Sequence, residues 1–285
     1  MHVRLYLFNR HIMNKKFIPF VLVLVLVLAG IALWLGLRGG VGSSRDNADI
    51  TVYAPEGTEI IVIDADEDVS EENALEGDAL NNAETFEVDS SGELYLMLEN
   101  GTYDILGNRG EEYYPWIKEV KVNGLYSTEL YPFFLPPDPT LEITEDENVA
   151  DAFATIATLP TAETPRVNTN ETAEMYVDEN TVFVNWTADV VDMPEFICPG
   201  DNVEDCQLQP FYTFNTNVEN VEFFGERDKL IIADLGPIAV VVELDRRGTQ
   251  NVQPLYVGTS PIAFRVLDGE VYVSEAGVVS KVLLD

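Results

Sequence analysis

LYLMLENGTYDIL, residues 94–106, is the stretch on which the reading of this chain turns. Residues 94–98 (LYLML) are an apolar run of strand length, closed by Glu99-Asn100-Gly101. Asn100-Gly101 is a pair that takes positive φ readily and marks tight turns between strands. Residues 102–106 (TYDIL) are again β-branched, aromatic and aliphatic, so the stretch predicts a β-hairpin. Toward the N-terminus, Ile50-Thr51-Val52-Tyr53 predicts a strand, Pro55-Glu56-Gly57 a turn, and residues 59–64 (EIIVID) a second strand. Toward the C-terminus, residues 117–122 alternate, Asn123-Gly124 predicts a further turn, and residues 126–131 continue the pattern. Short strands without a convincing amphipathic helix predict a small β-sandwich over residues 50–135.

Within that region, Pro55-Glu56-Gly57-Thr58 stands ahead of an apolar strand. Gly101-Thr102-Tyr103-Asp104-Ile105, Tyr113-Tyr114 and the run from Val120 through Val122 to Gly124 follow at later positions. These residues resemble the PEGA domain, a small extracytoplasmic β module, over less than a third of the chain. Two features depart from the family pattern. Thr58 stands where the family has alanine, and the tight turn after the second strand is expanded into a long acidic loop, residues 64–91. The resemblance implies a sandwich used for interaction or spacing in a cell envelope. It implies no catalysis, because the motif residues Pro55, Glu56, Gly57, Thr58, Gly101 and Tyr103 mark turns and strand starts.

Leu135-Pro136-Pro137-Asp138-Pro139 is a stiff break. Residues 136–173 read as a linker with a short helix at 149–159, ended by Pro160 and Pro165. From Glu174 strands resume. Residues 228–232 lead to 238–244, and residues 270–273 lead to 278–284, as successive hairpins, with a further turn at Asp268-Gly269. That recurrence over 174–285 resembles β-propeller blades, and from about residue 141 there is room for roughly three of about 40–45 residues. The expected fold is therefore mainly β. It comprises an N-terminal transmembrane helix, a small PEGA-like β-sandwich, then antiparallel β hairpins resembling an incomplete β-propeller.

The transmembrane expectation rests on residues 17–37, FIPFVLVLVLVLAGIALWLGL, which carry no charge. A helix of that length spans about 31 Å, close to the hydrocarbon thickness of a bilayer. Arg10, Lys15 and Lys16 precede it, whereas no Asp or Glu occurs before Asp46. The chain as a whole has 50 acidic against 16 basic residues, a formal net charge of −34. Basic residues before the helix and acids beyond it place residues 1–16 in the cytoplasm as a basic tail. Residues 38–49 then form a stalk, and the remainder lies outside the plasma membrane. A cleaved signal peptide is the competing reading, but the apolar run exceeds the roughly 7–15 residues of a usual signal core. Met13, followed by Asn14-Lys15-Lys16, is an alternative start to Met1.

Such acidity repels nucleic acid, whose phosphates need Lys and Arg. His2 and His11 both precede the apolar segment. Hydrolases with a histidine base and histidine-bearing zinc sites are thereby excluded from the rest of the chain. No phosphate-binding or dinucleotide-binding loop is present, and no cofactor or metal is expected. Asp64, Asp66 and Asp68 match three ligand positions of an EF-hand, but Val69 and Leu75 stand where its glycine and bidentate glutamate belong. The stretch reads as a solvated acidic loop. Cys198 and Cys206, the only cysteines, are expected to form a disulfide in an oxidising compartment. Asn100, Asn170 and Asn185 each open a glycosylation triplet, and Asn100 is better explained by its turn. Tyr113, Tyr114, Trp116, Tyr131, Phe133 and Phe134 read as core and sheet packing, with an exposed platform for glycan or protein as the alternative. The functional expectation is a non-enzymatic, single-pass membrane protein that binds or spaces an envelope protein or glycan. The alternative is a surface enzyme acting on glycan through paired carboxylates.

Overall fold

In the computed structural model, residues 47–65, 83–124, 127–154, 158–189, 193–194, 197, 210–224 and 229–284 are described. Among them no helix is long and apolar enough to cross a membrane. The apolar segment 17–37, both cysteines, and Asp66 and Asp68 of the acidic loop lie outside the described residues.

Residues 47–130 build two facing sheets. In one, β1 (Asn47–Tyr53) lies between β4 (Glu93–Glu99), antiparallel to it, and β7 (Thr128–Leu130), parallel to it. In the other the order is β3 (Glu84–Glu87), β2 (Glu59–Asp64), β5 (Gly101–Asn108) and β6 (Trp116–Val122), all antiparallel. The period-2 pattern explains the layering. Ile50 and Val52 of β1 and Leu96 and Leu98 of β4 point inward, as do Ile60 and Val62 of β2 and Tyr103 and Ile105 of β5. On the outer face of β4, Tyr95 and Met97 are each 70% exposed. The Pro55–Thr58 turn is present, with Gly57 at φ 77° and the Thr58 N–H donating to the Pro55 carbonyl.

The expected hairpin at residues 94–106 is not formed. β4 and β5 belong to opposite sheets, and the chain crosses between them at Asn100-Gly101. The Asn123-Gly124 step likewise leads from β6 in one sheet to β7 in the other. Each of these strands has a single apolar face, and two such faces in sequence are both buried when their sheets oppose each other. Asn100 ties the two crossings together, its Oδ1 accepting from the Gly124 N–H at 2.6 Å. The stretch expected as a long loop after β2 contains β3, paired with β2.

The remaining strands form three four-stranded antiparallel sheets. The first holds β9 (Arg166–Val167), β10 (Ala173–Asp178), β11 (Thr181–Trp186) and β12 (Tyr212–Thr213). The second holds β13 (Asn220–Phe223), β14 (Leu230–Asp234), β15 (Ile238–Glu243) and β16 (Val252–Val257). The third holds β17 (Ile262–Leu267), β18 (Glu270–Glu275) and β19 (Val278–Leu283), and is completed by β8 (Thr140–Ile143) beside β19. The hairpins expected from residues 228–244 and 270–284 are β14–β15 and β18–β19. Asp268-Gly269 turns with both φ angles positive, at 50° and 79°. The helix expected over 149–159 is found as α1 (Glu147–Ala154), with residues 158–159 not helical, and both β8 and β9 lie in the stretch read as linker.

The first strands of the three sheets lie side by side. From β9, the Arg166 guanidinium donates to Asn220 Oδ1 at 3.0 Å and pairs with Glu222 at 3.2 Å, both on β13. Glu222 in turn accepts from the Val266 N–H of β17 at 2.8 Å. One apolar core runs from the two N-terminal sheets into the second and third sheets, reaching Phe264, Val273 and Val282. A second core lies between the first and second sheets, around Met175, Phe211 and Val242. All five residues of β14 are buried, Leu230 and Ile232 in one core and Ile231 and Ala233 in the other.

Candidate ligand cleft

The candidate site sits beside a polar seam. β6 is the edge of its sheet, and side chains from the β15–β16 region cover that edge. Asn251 Oδ1 accepts from the Ile117 N–H at 3.0 Å while its Nδ2 donates to the Ile117 carbonyl at 2.7 Å, as a neighbouring strand would. Gln253 accepts from the Leu135 N–H at 3.0 Å and donates to the Phe133 and Pro115 carbonyls at 3.2 and 3.3 Å. Lys118, fully buried, reaches Glu243 at 3.2 Å, Asp245 Oδ2 at 3.5 Å and the Asp245 carbonyl at 3.0 Å. Gln253 thereby fixes residues 133–135, one wall of a cleft of about 850 Å³.

Four strand ends supply its principal side chains. Tyr53 closes β1, Arg109 follows β5, Tyr131 follows β7 and Lys229 precedes β14. Tyr113, Phe133 and Phe134 complete the described aromatic lining, backed by Leu230 and Leu284. Tyr53 and Tyr131 stack with centroids 4.9 Å apart, and the Lys229 ammonium lies over the Tyr131 ring. The Arg109 guanidinium lies 4.4 Å from the Tyr113 centroid and 5.9 Å from that of Phe134. Burial and then the negative charge of Glu129 and Glu93 push the Tyr53 phenol up. Tyr131 is raised by burial and by its hydrogen bond to Glu129 at 2.5 Å. Both phenols therefore stay protonated at neutral pH.

The charge of this cleft is opposite to that of the chain. Its described lining contains two cations and no carboxylate, although acids outnumber bases 50 to 16 in the sequence. Glu129, bonded to Tyr131, stands at the border. A second cavity, of about 500 Å³, is lined by Arg166, Asn168, Glu222 and Asp268. There Arg166 and Glu222 are committed to joining the first strands of the sheets.

Of the aromatic residues singled out in the sequence, Tyr113, Tyr131, Phe133 and Phe134 line the cleft. Trp116 is fully buried, and Tyr114 packs on the core. Among the turn-motif residues, Pro55 lines the cleft, and Glu56 and Gly57 are exposed in the turn beside it. Thr58 is fully buried with its hydroxyl on the Pro55 carbonyl at 2.7 Å. Gly101 opens β5, and Tyr103 is in the core. Sequence reading missed Tyr53, Arg109 and Lys229 as site residues. The only signal for them was their place at strand ends, which gains meaning once the strands are assigned to sheets.

Among the described residues no group of three or more His, Cys, Asp or Glu side chains is placed to hold a metal ion. Among the described residues, burial pushes the Asp234 carboxyl up to about 6. It lines neither cavity. Comparison with protein families, with curated proteins and with solved structures finds no match to this chain.

Proposed function

We propose that this chain is a non-enzymatic, membrane-anchored extracytoplasmic binding protein that engages an envelope protein or glycan through the aromatic cleft. The cleft carries the reading: two cations against aromatic faces, in a volume typical of small-ligand sites, within an otherwise acidic chain. The uncharged stretch 17–37, with basic residues before it and acids after it, supports the anchor and its orientation. The Pro55–Thr58 turn and the two facing N-terminal sheets agree with a PEGA-like module. Three four-stranded meanders with adjoining first strands, the last completed by the earlier strand β8, agree with a small propeller-like array.

Two measurements test the proposal. Protease added to spheroplasts is expected to remove the region after Asp46 and spare a tag before Lys15; protection of the C-terminal region sinks the topology. Detergent-solubilised full-length protein is expected to co-sediment with detergent-washed, membrane-free envelope material, and Arg109→Glu with Lys229→Glu to abolish that retention. Equal sedimentation of the two forms rejects the cleft as the binding site.

A further inference from the structure

We infer that the cleft takes a sugar unit bearing a carboxylate, with Arg109 as the residue that reads the carboxylate. This inference rests on the cleft being the binding site proposed above. The Arg109 guanidinium lies over two aromatic rings, 4.4 Å from the Tyr113 centroid and 5.9 Å from that of Phe134. Its N–H donors form a planar fork that matches a carboxylate bidentately. Among the described residues no carboxylate forms an ion pair with Arg109. That is unusual where acids outnumber bases about threefold, since an arginine in such a chain meets a protein carboxylate easily. Here the described lining contains none, so the carboxylate partner that suits Arg109 comes from a ligand.

The rest of the lining fits a saccharide ring. Leu284, half-buried in the lining with the buried Pro132 and Leu230 behind it, provides an apolar wall for a ring's C–H face, and Tyr53 and Tyr113 add phenols to the same lining. Lys229, over Tyr131, adds a second positive charge across the same cleft. The net charge of −34 disfavours a densely charged polyanion at long range, so a single carboxylate is favoured over a phosphate cluster.

Ligand-observed saturation-transfer NMR with full-length protein tests this, using glucuronate, glucose, glucose 6-phosphate and a short acidic peptide as probes. Glucuronate is expected to bind about tenfold or more tightly than glucose, with saturation on its ring protons. Arg109→Gln is expected to remove that preference, and Arg109→Lys to restore only part of it. Equal binding of glucose and glucuronate overturns the role of Arg109 and leaves the cleft as a sugar site. Tighter binding of the peptide or of glucose 6-phosphate overturns the acidic-sugar assignment and keeps the cleft as an anion site. Binding of glucuronate that Arg109→Gln leaves unchanged overturns the role of Arg109, and if Lys229→Gln also leaves it unchanged the ligand sits elsewhere and the cleft reading falls with it. If no probe binds while envelope retention still depends on Arg109 and Lys229, the sugar class is wrong and the cleft reading stands.

Discussion

Lys118 is buried without exposure between Glu243 and Asp245, on a strand whose exposed positions include the apolar Ile117. Removing Lys118 leaves the Glu243 carboxylate buried without a cation, while Asp245 keeps its pair with Arg247 at 2.7 Å. Lys118→Met is therefore expected to cost about 3–5 kcal/mol in urea unfolding. Burial already pushes the Glu243 carboxyl up, with Lys118 opposing it. Without Lys118 that carboxyl rises further above its unfolded value, so the deficit is expected to shrink as pH is lowered from 8 to 5. A deficit independent of pH would mean that the side-chain packing of Lys118, not its charge, matters. Asp234 behaves in the same sense. Its folded pKa of about 6 lies above the ordinary 3.8, raised by burial and by nearby Glu219, so its ionised form opposes folding as pH rises through 6. Asp234→Asn keeps the oxygen that accepts from the Gly236 N–H at 2.9 Å. It is expected to stabilise the protein by roughly 2 kcal/mol at pH 8 and to make little difference at pH 4. Equal stabilities at both pH values would show that the carboxyl is not displaced.

At the scale of elements, the β15–β16 connection acts as the missing neighbour of β6. Its Gly248 has φ 62°, and a Cβ there would lie 2.0 Å from the Glu119 carbonyl oxygen on β6. Gly248→Ala is expected to combine an unfavourable backbone conformation with a backbone collision, costing about 2–3 kcal/mol. A midpoint in urea unchanged from the parent protein would show that this loop does not press on β6. Legibility in the sequence differed between the two groups of sheets. Strands β14–β15 and β18–β19 were readable because each pairs with its successor, and local turn chemistry then fixes the partner. Asn100-Gly101 and Asn123-Gly124 carry the same turn signal, yet there the chain passes from sheet to sheet. An Asn-Gly pair reports a change of direction; which strand lies alongside depends on where the apolar face beyond it is buried. Strand β8 escaped notice for a related reason. Its four residues are all exposed and it pairs with β19, far away in sequence.

For the molecule as a whole, self-repulsion is the dominant electrostatic fact, because all 50 acids lie from Asp46 onward. The Debye length falls from about 30 Å at 0.01 M salt to about 3 Å at 1 M. The melting temperature is accordingly expected to rise with ionic strength, and a flat profile would remove self-repulsion as a factor in stability. Sequence alone determined the β class and the placement of most strands and tail hairpins. Alternation of apolar residues and the conformational preferences of Gly, Asn and Pro act within a few residues of chain. It also determined the charge balance and the lack of histidine beyond His11, which limit the chemistry available. Only the tertiary structure decided that Lys118 is interior and Ile117 exposed, since that depends on Glu243 and Asp245 more than a hundred residues away. It likewise assembled the cleft: Tyr53, Arg109, Tyr131 and Lys229 stand at the ends of four separate strands, and their positive, aromatic surface exists only where packing brings those ends together.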